Sequence, residues 1–484
     1  MNRPIRKVSI ALGLLFLALF VNLNVVQVIK GSSYRNDSQN RRVLLNEYSS
    51  PRGQIVVDGN AVAESRATKD ELKYLRVYPQ GPIYAPATGF YSFTYGADGI
   101  EAIENPILSG DSSQLFTSKF ADILTGRNPR GGSVDLTLNH AAQVAAYNAM
   151  KSGNGSFKRG AVVALDPRTG AILALVSTPS YDPNRLSSHD SASISRAYKE
   201  FQNAKSQPML DRALNQNYPA GSIFKIIDSA AALRHGVTAD QRIPAANSFW
   251  PLDPTRKSSC PASLSAPCVE NFGGEQCDNG QTATLAFALA KSCNTAFAAL
   301  AVTKIGAGDL KKQAQLFGFD GPQLKVPLSV APSTVGSDQT LSDDAALAQT
   351  SFGQRDVRIT PIQAAMLSAA VANDGTLMQP YLVSTERRPN LSVLNTTKQK
   401  QLSQVLDPTL DQELIKMMEG VVTSREGTGG PANITDLGPT VQVGGKTGTA
   451  DVGATSASRI PPDAWFTGFA LVKGSPRIAV AVVI

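Results

Sequence analysis

Tyr218-Pro219-Ala220-Gly221-Ser222-Ile223-Phe224-Lys225 is the stretch on which the reading of this chain turns. It holds the only Ser-x-x-Lys of the sequence. Pro219 and Gly221 precede an apolar pattern over residues 223–233 that reads as a helix, stopped by Gly236. On a helix, Ser222 and Lys225 lie on one face about one turn apart. There a neutral lysine amine can take the proton of a serine hydroxyl and make a nucleophile. A capping serine beside a surface lysine fits the same residues, so the rest of the chain has to decide.

The surroundings narrow the choice. With 484 residues the chain is long enough for two or three domains. An apolar content of 42% and an aromatic content of 7% suit globular cores. The net charge is +7, from 46 basic and 39 acidic residues, with no basic run interleaved with aromatics. Nucleic acid is therefore not an expected partner, and the mild positive balance suits an anionic envelope surface.

Near the start, Arg3, Arg6 and Lys7 precede a charge-free stretch over residues 8–29, closed by Lys30. That stretch is long enough to cross a bilayer as a helix. It is too long for a signal-peptide core, and no Ala-x-Ala site follows. The reading is an uncleaved single-pass anchor with residues 1–7 in the cytoplasm and the remaining chain outside. Asn22, Asn24 and Gln27 fall in its outer part, where they reach the interface or bond to a partner helix. Cys260, Cys268, Cys277 and Cys293 agree with an oxidising compartment and two disulfides, for which three connectivities exist. Proximity favours Cys260–Cys268 and Cys277–Cys293. A zinc site would want a Cys-x-x-Cys pair or a nearby histidine, and neither is present; no metal or cofactor is expected.

Residues 30–157 read as a non-catalytic, β-rich region. Strands are expected at 41–45 and 53–57, a turn at Asp58-Gly59-Asn60, irregular structure over 78–95, a short helix at 118–124 and an Ala-rich helix over 140–152. A Gly/Ser loop over 151–160 marks the boundary to residues 158–484. That second region opens with a hairpin over 160–178, whose turn is Asp166-Pro167-Arg168-Thr169-Gly170. Helices follow at 284–304, interrupted near Ser292-Cys293-Asn294, at 361–372 and at 411–423. The chain closes with strands at 464–472 and 477–484. Hairpin, helical block, strands: this order predicts an α+β sandwich, an antiparallel sheet flanked by helices with a helical subdomain.

Two motifs follow Ser222. Ser292-Cys293-Asn294 is a Ser-x-Asn, which alone carries nothing because Ser38-Gln39-Asn40 and Ser152-Gly153-Asn154 match too. Lys446-Thr447-Gly448-Thr449 holds a Lys-Thr-Gly that occurs once, at the head of an apolar strand pattern. Ser-x-x-Lys, Ser-x-Asn and Lys-Thr-Gly in that order form the set of penicillin-binding proteins and serine β-lactamases. The surrounding residues extend the match: Arg52-Gly53-Gln54-Ile55, the 160–183 segment, Thr360-Pro361, and Ala464-Trp465-Phe466-Thr467-Gly468-Phe469-Ala470. The chain resembles the class B penicillin-binding proteins, most closely their actinobacterial penicillin-binding protein A branch.

The resemblance implies a pedestal domain (30–157) followed by a transpeptidase domain (158–484). It implies Ser222 as nucleophile and Lys225 as its base, with Ser292, Asn294 and Lys446 completing the catalytic set. Lys446 would supply charge across the cleft, Ser292 would relay the proton, and Asn294 would hold Lys225 and the substrate. Thr447, Gly448 and Thr449 would bind substrate: the two hydroxyls its carboxylate, and bare Gly448 a peptide pairing along the strand edge. The backbone amides of Ser222 and Thr449 would form the oxyanion hole. Cys293 would point away from the site, and a disulfide to Cys277 would pin the Ser292 loop. The implied partners are D-Ala-D-Ala stem peptides, an amine acceptor, β-lactams, a membrane glycosyltransferase, and division or elongation proteins.

Other readings are a β-lactamase or penicillin sensor and a scaffold of a wall-synthesis complex. The first lacks a convincing Glu-x-x-x-Asn loop, and the second sits badly with intact motifs. A Ser-His-Asp hydrolase has only His140, His189 and His235 to draw on, and no Gly-x-Ser-x-Gly elbow. Two departures from the family pattern are noted. Arg355 follows Gly353-Gln354 where many relatives carry glycine, and Ile484 falls inside an expected core strand where relatives continue to a further helix. That helix is expected to cover apolar surface of the sheet.

Overall fold

The computed structural model describes residues 3–30, 47–115, 130–152, 155–254, 260, 268–339, 341–450 and 461–484. The expected strand at 41–45 and helix at 118–124 lie outside these residues. The N-terminal helix α1 (Arg3–Asn24) is continued by one wider turn to Ile29. The stretch Ile5–Gln27 has a mean hydropathy of 2.3 and is long and apolar enough to cross a membrane. None of its most apolar window is buried among the described residues.

Strands β1 (Ile55–Val57), β2 (Asn60–Ala67) and β3 (Tyr74–Val77) come next. Helix α2 (Gly81–Thr88) replaces the irregular structure expected over 78–95. Its two prolines argue against a helix, but Pro82 stands in the first turn, where no N–H is needed. Burial of Tyr84, Ala85 and Ala87 then holds the short helix in place. Strand β4 (Ser133–Leu136) and helix α3 (His140–Ala149), capped by the Asn139 side chain, complete this part.

The second part runs β5 (Gly160–Leu165), β6 (Ile172–Thr178), α4 (Lys225–Arg234), α5 (Leu285–Lys291), α6 (Asn294–Leu300), α7 (Pro361–Ala372), β7 (Val383–Arg387), β8 (Val393–Thr396), α8 (Pro408–Thr423), β9 (Val441–Ala450), β10 (Asp463–Val472) and β11 (Ser475–Val483). A five-stranded antiparallel sheet has the order β9-β10-β11-β5-β6. Alternation sorts its side chains between two layers. Val162, Val176, Val480 and Val482 pack with Tyr147 and Met150 of the α3 side. Ala161, Val163, Ala479, Ala481 and Val483 join the large core that holds α7. α7 is buried all round, as an apolar core helix must be. This is the expected α+β sandwich with its helical subdomain.

A six-stranded sheet, order β8-β7-β4-β1-β2-β3, belongs to the N-terminal half. Two of its strands, β7 and β8, come from residues 383–396, far along the second part. β7 pairs antiparallel with β4, so the sheet is built from two stretches of chain rather than one. At its heart Glu101 is fully buried between Arg52 (Nε 2.6 Å) and Arg76 (Nε 2.5 Å), with the Tyr78 hydroxyl at 3.1 Å. Arg76 also donates to the Gly53 carbonyl at 2.7 Å. The Arg52-Gly53 pair of the sequence motif is thus a core fixture.

Candidate active site

Ser222 stands in a 3₁₀ turn, Gly221–Phe224, that feeds directly into α4. The turn is pressed between two other segments. Gly221 has φ +54°, and a Cβ there would stand 2.6 Å from the Thr449 carbonyl of β9. Gly353, at φ +76°, accepts from the Gly221 N–H at 2.8 Å, and a Cβ on Gly353 would run into the Gly221 carbonyl. Only glycine fits both places. The nucleophile turn is therefore fixed against β9 on one side and the 353 loop on the other. Arg355 also has φ +61°, the left-handed region that favours glycine.

The interruption between α5 and α6 carries the second motif. Ser292 closes α5 in the left-handed conformation, φ +66°. This turns both its carbonyl and its hydroxyl toward Lys225. Lys225 Nζ lies 3.1 Å from Ser222 Oγ, 2.7 Å from the Ser292 carbonyl, 3.2 Å from Ser292 Oγ and 2.7 Å from Asn294 Oδ1. A neutral amine has two N–H groups and one lone pair. Donation to the Ser292 carbonyl and Asn294 Oδ1 uses both N–H groups and leaves the lone pair for the Ser222 hydroxyl proton. Lys446 Nζ approaches from β9, donating to Ser292 Oγ at 2.9 Å and the Thr447 carbonyl at 2.9 Å. Ser292 Oγ is thus the bridge between two lysines.

Both amines are fully buried. Burial pushes Lys225 well below the ordinary lysine range, and the like charge of Lys446 pushes it the same way, while Asp228 opposes. Burial brings Lys446 down to about 7. Among the described residues no carboxylate forms an ion pair with either amine. That is the arrangement that frees a lysine to act as a base near neutral pH.

The five residues expected to be catalytic, Ser222, Lys225, Ser292, Asn294 and Lys446, are therefore brought together. Thr447 and Thr449 line a cleft of about 430 Å³ above them. Gly448 does not line it. A Cβ there would meet Ile223 Cγ2 and Trp465 Cβ at 3.0 Å, so its bareness lets β9 close on the Ser222 turn rather than opening the strand edge. Among the described residues β9 ends its sheet, so no strand pairs with its outer edge.

The cysteines pair as Cys260–Cys268 and Cys277–Cys293. Cys293 is buried, although it is also among the residues that line the cleft, and its bridge to Cys277 ties the Ser292 turn to the 270–277 loop. Asn294 reinforces that tie by donating to the Glu270 carbonyl at 3.1 Å. Asn271 adds to it by accepting from Thr295 N–H at 3.1 Å. The histidines lie elsewhere, each with a partner: His140 with Tyr84, His189 with Asp70, and His235 with Asp309.

Of the rim, the sequence marks only the Gly353-Gln354-Arg355 loop, as a departure from the family pattern. Phe272, Glu275, Gln354 and Thr428 line the cleft, and Thr428 bonds Thr447 hydroxyl to hydroxyl at 2.6 Å. Phe272, Glu275 and Thr428 sit in loops with no motif around them. Only the Gly273-Gly274 and Gly353 positions, both at positive φ, mark those loops as shaped for a purpose.

Comparison with known proteins sets this geometry beside characterised ones. Residues 160–484 match the family described as penicillin binding protein transpeptidase domain. Residues 52–134 match that described as penicillin binding protein A dimerisation domain. The chain is 42% identical over 484 residues to the peptidoglycan D,D-transpeptidase PbpA of Mycolicibacterium smegmatis, covering 100% of this chain and 94% of the relative. The Mycobacterium tuberculosis protein of the same name is 41% identical with the same coverage. Among solved structures, the imipenem acyl-enzyme complex of penicillin-binding protein A from M. tuberculosis superposes with a TM-score of 0.82 at 41% identity, over 91% of this chain and 95% of that one. The penicillin G acyl-enzyme complex of the same protein gives 0.80 at 40%, over 90% and 93%.

Proposed function

Because this chain belongs to the class B penicillin-binding protein transpeptidases, we propose that it is a peptidoglycan D,D-transpeptidase whose acyl-enzyme forms on Ser222. The observation that carries the assignment is the set of contacts at Lys225 Nζ, which leaves its one lone pair for the Ser222 hydroxyl.

Ser222 Oγ attacks the carbonyl of the penultimate D-alanine of a stem peptide, and its proton passes to Lys225. Negative charge on the carbonyl oxygen is met by the backbone amides of Ser222 and Thr449. Ser292 Oγ, within 3.2 Å of Lys225 and 2.9 Å of Lys446, carries a proton to the leaving amine, and D-alanine departs. The acceptor amine then attacks the ester and returns its proton along the same path. The donor peptide adds to the free edge of β9. Thr447, Thr449 and Lys446 take its terminal carboxylate. β-Lactams present the same carbonyl and stop at the acyl-enzyme.

The apolar helix over Ile5–Gln27 anchors the protein in the plasma membrane as a single pass, with the catalytic part outside. The N-terminal pedestal and the anchor serve contacts to a membrane glycosyltransferase in division or cell-shape wall synthesis. The test is labelling with a fluorescent penicillin and mapping of the modified peptide. Label that maps to Ser222, releases slowly and disappears in Ser222→Ala is the expected result. Label that persists in Ser222→Ala overturns the assignment.

A further inference from the structure

A second cavity, of about 450 Å³ and so as roomy as the catalytic cleft, opens in the N-terminal part. Three separate stretches wall it: 51–54 before β1, 130–133 leading into β4, and 388–391 between β7 and β8. Bare glycines let these stretches close on one another. A Cβ on Gly53 would overlap the Gly132 carbonyl oxygen at 1.6 Å, and one on Gly132 would stand 2.4 Å from the Arg387 carbonyl oxygen. The Gly131 N–H donates to the Pro51 carbonyl at 3.2 Å. Backbone contacts therefore fix the walls.

The chemistry of the lining is one-sided. Arg52, Arg130 and Arg388 face the cavity, and among the described residues no aspartate or glutamate does. Arg52 is already engaged, by the Glu101 carboxylate, the Glu101 carbonyl and Asn105. Arg130 is exposed, and Arg388 gives only Nη1, to the Val393 carbonyl at 2.9 Å. The carboxylates of the adjoining strands are held elsewhere: Glu64 by Arg66 at 2.8 Å and Asp135 by Arg387 at 2.6 Å. Glu386 pairs across from Val134, on the opposite face from Ser133.

A second observation points the same way. Arg52, Ser65 and Tyr74 also wall a smaller cavity that adjoins the first. Arg76 and Tyr48 line it, both buried, and Arg76 Nη2 and Tyr48 Oη have no hydrogen-bond partner among the described residues. Glu47 lines it too, accepting from the Tyr91 hydroxyl at 3.0 Å. Two guanidiniums on the one Glu101 carboxylate leave a positive charge over. Buried donors and an uncompensated charge call for a counter-group.

We propose that the cavity walled by 51–54, 130–133 and 388–391 is a binding site for a small polar molecule that carries an oxyanion, gripped by Arg130 and Arg388. A guanidinium offers paired N–H groups that match two oxygens of a carboxylate or phosphate. The excess charge of the arginine pair behind the wall adds to the attraction. Gln54, Ser65, Tyr74 and Ser133 supply neutral hydrogen-bonding groups for the body of the ligand. The volume falls within the range of small-molecule sites. A wall sugar bearing a carboxylate and a lipid headgroup bearing a phosphate share this chemistry. The site is separate from Ser222 and stands whether or not the catalytic reading does.

The test is calorimetric titration of the full chain with N-acetylmuramic acid and, separately, with glycerol 3-phosphate, at fixed ionic strength. Saturable binding of at least one probe to a single site is expected. The variant carrying both Arg130→Gln and Arg388→Gln is expected to bind it at least roughly tenfold more weakly, the scale of one lost charged hydrogen bond. Tighter binding of N-acetylmuramic acid assigns a carboxylate ligand, and tighter binding of glycerol 3-phosphate a phosphate ligand. No saturable binding of either probe to the parent overturns the proposal. So does an affinity that the double variant keeps. If the double variant melts below the assay temperature because Arg388 no longer holds the Val393 carbonyl, Arg130→Glu decides. It reverses one charge at an exposed position and is expected to abolish binding; binding that survives it overturns the site.

Discussion

Around Glu101 two arginine guanidiniums close on one carboxylate; around Ser292 two lysine amines close on one hydroxyl. The basic side chains of both groups are buried, and both groups draw residues from distant parts of the sequence. In the first, burial pushes the Glu101 carboxyl up, but Arg76 and Arg52 outweigh it and hold it below the usual range. Charge is kept by pairing it. In the second, the bonded partners are neutral oxygens; burial and then the like charge of Lys446 push Lys225 down, and Asp228 does not outweigh them, so Lys225 gives up its proton. Burial alone therefore does not tell structure from chemistry; the sign of the neighbours does.

The comparison breaks first at Lys225. Lys225→Met removes the base and is expected to lower the β-lactam acylation rate by about ten-thousandfold, the upper end for a general base. Its melting temperature is expected to shift less than that of Glu101→Gln, because an apolar side chain of similar length avoids desolvating an amine. A kinetic assay paired with calorimetry reads both. Glu101→Gln should do the reverse. It strands two buried guanidiniums and is expected to cost about 3–5 kcal/mol in urea unfolding, with the acylation rate of the folded protein unchanged. If Glu101→Gln slows acylation at full folding, the N-terminal cluster is not merely structural.

Between these extremes stands Cys277→Ser. Opening a loop of sequence separation 16 removes about 3 kcal/mol of stability by chain entropy. Because Cys293 anchors the turn that aims Ser292, a lower acylation rate is expected as well, read on the same folded sample. Stability lost with acylation untouched would place this bridge with the structural cluster instead.

The split also explains what the sequence could disclose. The 160–178 hairpin, α7 and the last two strands are apolar enough on both faces to announce themselves as core. The three motifs were legible because their order is a pattern. Their convergence was not, since nothing local says that Ser292 adopts a left-handed conformation and offers its carbonyl to Lys225. The recruitment of 383–396 into the N-terminal sheet was hidden for the same reason: β7 meets β4 across some 250 residues, and register between such strands is a tertiary fact. Helix α2 was hidden by two prolines whose cost is met by burial. Gly448 was read as an opening for substrate, while its packing partners Ile223 and Trp465 come from other elements.

The subtlest break is at Lys446. If the second cluster works by repulsion, removing one lysine should raise the affinity of the other for its proton. In the parent, burial and then the like charge of Lys446 depress Lys225, so the free amine needed by Ser222 is present well below the ordinary lysine range. Below the Lys225 pKa the ammonium has no lone pair, and acylation fails; above it, acylation proceeds. Lys446→Gln takes away the like charge while keeping a group that can donate to Ser292 Oγ. Its acid limb is therefore expected to move to higher pH by about one unit, equal to about 1.4 kcal/mol. Measured beside the parent in one buffer series, the position of this limb separates repulsion from burial. Were the limb to stay fixed in Lys446→Gln, burial alone would be setting Lys225, and the contrast with the arginine cluster would rest on dielectric rather than on the sign of the neighbour.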